Sequence, residues 1–294
     1  YIGRADSYSY GVSDVIWPAR HSAPKLETMA RLFQSNRFIR KVKAPSLNTP
    51  ALKDLSWAFY GIGSFNEFDV TGLETSNVED FSHIFALNEE GFKNFENIKL
   101  NFNTSKATNL QEIFFYTWYP KNLDLSSWNT SNVTNMLECF GMTRNTVDEL
   151  DLTGWNTAKV TNMKEMFNGM NQLAHLDLSS FETNNLKEMS AMFQGMTALK
   201  ELDILHFNTS QVDNMKNLFK DVAKVTKLDL TNFNSRKATD MTSMFDGMEA
   251  LSDLKLGPDF SFENANNLNY MFHNTYSQKS IDLGELDIQK TFSL

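Results

Sequence analysis

Apolar and polar positions along this chain of 294 residues return in one pattern. The stretch LDLSSWNTSNVTNMLECF from Leu123 recurs as LDLTGWNTAKVTNMKEMF from Leu150, LDLSSFETNNLKEMSAMF from Leu176, LDILHFNTSQVDNMKNLF from Leu202 and LDLTNFNSRKATDMTSMF from Leu228. The starts lie 27, 26, 26 and 26 residues apart, a fixed period that marks a stack of repeated units. In each copy an aromatic residue stands twelve positions ahead of a Phe, as Trp128 does of Phe140 and Phe181 of Phe193. The same ruler fits Leu47 and Phe59, Leu73 and Phe85, Phe102 and Phe114, Phe260 and Phe272, and at the start His21 and Phe33. It predicts about ten coils over residues 16–280, an aromatic-rich cap over 1–15, and a partial coil or second cap over 281–294.

Within one copy, the alternation Leu150, Asp151, Leu152 puts two leucines on one face and a carboxylate on the other, which predicts a short strand. The polar run 153–157 predicts a turn. Val160, Met163, Met166 and Phe167 follow at three, six and seven residues, which predicts a short helix, with Gly169 as its left-handed cap. A unit of this size cannot bury its apolar side alone, so the 24 Phe and 14 Met are expected to form columns through a stack.

Composition narrows the partners. With 27 Lys and Arg against 36 Asp and Glu, the formal charge is −9, the wrong sign for gripping a phosphate backbone, so no nucleic acid is expected. A single Cys excludes an intrachain disulfide framework. No stretch approaches the roughly 20 apolar residues of a membrane span, so no membrane insertion by this segment is expected. A chain that opens at Tyr1 without Met reads as a processed or excised piece.

The repeated residues LDLSSWNTSNVTNM resemble the roughly 26-residue repeats of the BspA-like leucine-rich-repeat surface proteins of mycoplasmas and Gram-positive bacteria. The resemblance is tightest from Leu123 to Gly247 and extends over nearly the whole chain. It implies an α/β fold, a leucine-rich-repeat-like right-handed solenoid of 25–30-residue coils, each a strand plus a helix. It also implies an extracellular, bacterial cell-surface location and adhesion to a host protein.

Two surfaces are candidates for ligand binding. The middle residues of the predicted strands are Asp69, Lys99, Asp124, Asp151, Asp177, Asp203, Asp229, Lys255 and Asp282, an acidic row in which Leu205 and His206 form an interruption. Such a row suits a basic partner, or serves only as a solvated face; one column presents too few oxygens for Ca²⁺. The second is the run from Phe114 to Pro120, with Tyr116, Trp118 and Tyr119 in the predicted return segment of a coil shortened to 25 residues. These aromatics would contact a ligand, or fill the shortened coil. The insertion 86–97 beside them enlarges the preceding coil to 30 residues.

Nothing points to catalysis. Cys139 sits in the column of Met166 and Met192, as a small core residue would; the five His fall in different registers; and no nucleophile, phosphate or metal motif is present. The reading is a monomeric, non-enzymatic adhesin without cofactor or metal, contacting a host extracellular protein or glycan, with a structural spacer as the alternative.

Overall fold

The computed structural model describes residues 12–18, 21–63, 65–88, 100–119, 124–145 and 149–278. They divide into two compact units, Tyr1–Val133 with Cys139–Thr146, and Thr134–Glu138 with Val147–Leu294. The predicted segment 281–294, most of the 1–15 cap and most of the 86–97 insertion lie outside the described residues.

All strand pairing is parallel and joins one repeat to the next. In the first unit Asp14–Ile16 (β1), Lys41–Lys43 (β2) and Glu67–Asp69 (β3) form a three-stranded sheet with Val15, Val42 and Phe68 in register. Asp14 and Val15, expected in a cap, are thus part of the first strand. Trp118–Tyr119 (β4) pairs with Arg144–Asn145 (β5). In the second unit Glu149–Leu150 (β6) pairs with His175–Leu176 (β7), and Lys227–Leu230 (β8) with Asp253–Leu256 (β9). β8 alternates as predicted, with Leu228 and Leu230 buried.

The expected coil of strand plus helix does not form: among the described residues there is no helix, and the strands are only two to four residues long. The segment expected to be helical is a ribbon of successive turns that pairs with the neighbouring repeats. In 163–170, the N–H groups of Met163, Glu165, Phe167 and Gly169 donate to the carbonyls of Glu188, Ser190, Met192 and Gln194 at 2.7–3.0 Å. The N–H groups of Met166, Asn168 and Met170 donate three residues back, to Met163, Glu165 and Phe167. Every second donor therefore leaves the repeat, whereas an α-helix would keep them all inside.

Spacing explains the outcome. Paired strands hold neighbouring repeats at about 4.8 Å, while packed helices need about 8–10 Å between axes. When both sides of the repeat are stapled to the next one at strand spacing, a helix does not fit, and a flat ribbon does. The ribbon requires two left-handed residues per repeat, four apart. Glu165 and Gly169 have φ of 55° and 75°, and the same pair recurs as Ala191 and Gly195, Asn217 and Asp221, and Ser243 and Gly247. Gly169 does take the left-handed conformation expected of it, as the third residue of a turn instead of a helix cap.

The polar run that precedes the ribbon is also stapled across repeats. Thr157 is fully buried; its hydroxyl donates to the carbonyl of Glu182 at 2.8 Å and accepts from the N–H of that residue at 2.8 Å. Thr104 does the same for Asn129 in the first unit, and Thr209 for Asn234 in the second. A hydroxyl can serve both roles at once, so one Thr side chain satisfies both backbone groups of a residue that is not in a strand.

The Phe column forms in both units. In the first, the rings of Phe33, Phe59, Phe85, Phe114 and Phe140 stack at 5.7–5.9 Å. In the second, those of Phe167, Phe193, Phe219, Phe245 and Phe272 stack at 5.2–6.1 Å. Val160, Met163, Met166 and Leu173 are fully buried around them. Cys139 occupies its predicted core column, fully buried, and burial pushes its thiol pKa well up. Phe193→Ala removes a ring stacked on both sides and is expected to cost about 3–5 kcal/mol in denaturant unfolding, against a change within about 0.5 kcal/mol for the exposed Leu205→Ala.

Candidate contact surface

The acidic row is first of all a row of turn anchors. A carboxylate oxygen of Asp124, Asp151, Asp177, Asp203 and Asp229 accepts the N–H two residues on, from Ser126, Thr153, Ser179, Leu205 and Thr231, at 2.8–3.2 Å. This turn chemistry of Asp turns the chain close to the end of the strand: β6 stops at Leu150, while β8 runs on through Asp229 to Leu230. Asp124, Asp151, Asp177 and Asp203 remain exposed, while Asp229 is half-buried and faces Lys255 at 3.4 Å. In β8 and β9 the pairing Asp229 to Lys255 makes the row mixed in charge.

Leu205 is 38% exposed. His206 beside it is tied down, its Nε2 3.1 Å from the Leu178 carbonyl and its ring edge-on to Phe207.

The aromatic run falls differently from the expected return segment. Tyr116 is the second left-handed residue of its ribbon, at φ 50°, where Gly61 stands two repeats earlier. Its N–H donates to the Gly141 carbonyl at 2.9 Å. Trp118 is half-buried in β4, opposite Arg144; the side chain of Tyr119 lies outside the described residues. Thr117 between them is buried and donates to the Asn88 carbonyl at 3.0 Å.

Tyr116 belongs to a column that inspection of its own repeat does not reveal. Leu87, Tyr116 and Met142 occupy the same left-handed position in three consecutive repeats, with φ of 54°, 50° and 52°. Leu87 donates its N–H to the Phe115 carbonyl, next to Tyr116, at 2.8 Å. In the second unit this position holds Gly169, Gly195, Asp221, Gly247 and Asn274, residue types that tolerate the conformation. Leu87 and Met142 are 37% and 42% exposed. Under the column, buried Asn88, Thr117 and Thr143 fix the chain: Asn88 bonds the Ile62 N–H and the Phe59 carbonyl, and Thr143 bonds the Phe114 carbonyl. Exposed Leu87 and Met142, with half-buried Tyr116 between them, thus rest on a buried, hydrogen-bonded polar footing.

Four residues earlier, the other left-handed position carries charge and aromatic rings in the same unit. The Arg31 guanidinium lies 4.8 Å over the Trp57 ring, Trp57 stacks on His83 at 4.0 Å, and His83 Nδ1 is 3.1 Å from Glu112. Burial pushes the Glu112 carboxyl up, but His83 and the Gln111 amide more than offset it and hold the group below its ordinary range. Burial and the Glu112 charge raise the Tyr60 hydroxyl.

The turn carboxylates are held below their ordinary pKa, Asp124 and Asp229 by the hydroxyl and N–H of Ser126 and Thr231, and Asp177 by the N–H and hydroxyl of Ser179. A carboxyl depressed in the folded state stabilises it fully above the unfolded value of about 4, and that contribution is lost as pH falls through the folded value. The melting temperature is therefore expected to fall as pH drops below about 4. A variant carrying Asp124→Asn, Asp177→Asn and Asp229→Asn, which keeps the acceptor oxygens without the charge, is expected to show a shallower acid decline.

Among the described residues no helix is long and apolar enough to cross a membrane, and no three His, Cys, Asp or Glu side chains are grouped as a metal site. No curated protein and no solved structure matches the chain. A family model described as a mycoplasma protein of unknown function, DUF285, matches three times, at residues 20–117, 88–194 and 169–285. The chain is therefore a bacterial repeat protein and belongs to the DUF285 family of mycoplasma proteins.

Proposed function

We propose that this chain is a non-enzymatic, BspA-like module of the bacterial cell surface that contacts a host extracellular protein or glycan. The observation that carries this reading is the column Leu87, Tyr116 and Met142. A bulky L-residue in the left-handed region costs about 1–2 kcal/mol, and side chains left 37% and 42% exposed, as Leu87 and Met142 are, recover only part of that by burial. Gly, which other repeats use at this position, would be better for folding alone. Strain retained in three consecutive repeats points to a role at the surface, and a fixed apolar strip is what a partner can bury. Trp118, half-buried in β4 two residues beyond Tyr116, is a further candidate contact. The exposed carboxylates of Asp151, Asp177 and Asp203 in the second unit, with Leu205 and His206, form an accessory surface for basic groups of a partner.

The test is a variant carrying Leu87→Gly, Tyr116→Gly and Met142→Gly. Each change removes left-handed strain and adds unfolded-state entropy of about 0.4–1 kcal/mol, so the melting temperature is expected to hold or rise. Binding to a panel of purified extracellular-matrix proteins is expected to be lost. A drop of several kcal/mol in stability would make the column a packing feature, and unchanged binding would place the contact elsewhere. Wild-type protein that binds nothing on the panel would favour a spacer that displays another module.

A further inference from the structure

The second unit carries a polar cluster that the surface described above does not include. Asp246 is buried, at 5% exposure, where the ribbons before it carry Lys220, Gln194 and Asn168. Its carboxylate pairs with Lys220 on one oxygen, and on the other meets His273 Nδ1 at 2.9 Å and Asn274 Nδ2 at 3.4 Å. Burial alone would raise this carboxyl, but Lys220 and His273 hold it below its ordinary range. His273 Nδ1 meets both the Asp246 carboxylate and, at 2.9 Å, Asn274 Nδ2, which leaves Nε2 as the ring nitrogen to meet a ligand, an acceptor when the ring proton is on Nδ1. The side chain of His273 is 55% exposed.

Two tyrosines flank this ring. Tyr270 and Tyr276 are 66% and 74% exposed, more than any other large apolar residue described. Tyr270 sits in the left-handed region at φ 58°, where preceding repeats carry Ala191, Asn217 and Ser243, and its ring meets that of His273 edge-on at 5.6 Å. The Tyr276 hydroxyl donates to Asn274 Oδ1 at 2.5 Å. Lys220, Asp246, His273, Asn274 and Tyr276 thus form one hydrogen-bonded chain from a buried carboxylate to a surface ring, which fixes the polar groups before any ligand arrives.

We propose that Tyr270, His273, Asn274 and Tyr276 form a binding site for a neutral sugar. Exposed aromatic faces suit the C–H faces of a pyranose, and the tyrosine hydroxyl, imidazole and carboxamide beside them exchange hydrogen bonds with its hydroxyls. The charge nearby selects against acidic sugars. Lys220 is taken up by Asp246, and Asp221 lies against Gly247, where an added Cβ would stand 2.3 Å from its Oδ1. Lys220, Asp221 and Asp246 together leave a net negative charge.

The test is a glycan array probed with the whole chain and with Tyr270→Ala and Tyr276→Ala, followed by calorimetry with the oligosaccharides retained. Wild type is expected to retain neutral glycans over sulfated or sialylated ones. Each Tyr→Ala is expected to weaken binding roughly tenfold, as the loss of one stacked ring would, with an unchanged melting temperature. The triple Gly variant of the first unit is expected to retain this binding, which separates the site from the apolar column. No neutral glycan retained, binding undiminished in both Tyr variants, or a loss that comes with a fall in melting temperature would each overturn the proposal.

Discussion

Within each unit the described repeats are bonded to their neighbours along the turn ribbon and, at several repeats, also through short parallel strands, and both act at the spacing of paired strands. On one side are the short parallel strands; on the other, single parallel bridges join Asp54 to Asp80 and Asn162 to Glu188, and the turn ribbon continues from them. This double stapling decides the rest. It leaves no room for a layer of helices, it sends alternate ribbon N–H groups across to the next repeat, and it sets the Phe rings face to face at 5.2–6.1 Å. Polar side chains then bond the backbone where no ladder reaches, as Thr157 does for Glu182.

The same constraint explains why backbone strain is regular here and where it is informative. Each ribbon needs two left-handed residues, so a non-Gly residue with positive φ is ordinary in this fold. What stands out is the kind of residue. Glu165 bonds Asn168 and pairs with Lys164, and Ala191 and Ser243 are small, whereas Leu87, Met142 and Tyr270 hold large, exposed side chains at such positions. The residues that break the local rule cluster where the surface is apolar or aromatic, which is the expected signature of contact with something else.

Much of this was legible in the sequence. The period and the twelve-residue ruler located the Phe column and the buried place of Cys139, because both depend only on which positions face inward. The helix was misread because apolar residues at three, six and seven positions also fit a turn ribbon, and hydrophobic pattern alone does not say where backbone donors go. The Asp of each Leu-Asp-Leu was legible as exposed, but its bond to the N–H two residues on is local turn chemistry that an alternating pattern hides. The apolar column was missed because Tyr116 was placed in a return segment after a helix, which hid its match to the left-handed position. Set against Gly169, Gly195 and Gly247 at the same place in the repeat, it would have been visible.

The central claim is that the repeats are stapled by turn ribbons and that the described residues contain no helix. Far-ultraviolet circular dichroism of the folded chain tests it most directly, with a melting transition recorded on the same sample to establish that it is folded. The spectrum is predicted to lack the paired minima of α-helix while the protein melts cooperatively. A cooperative transition together with a clear helical spectrum, at the level that one short helix per repeat would give, would contradict the account.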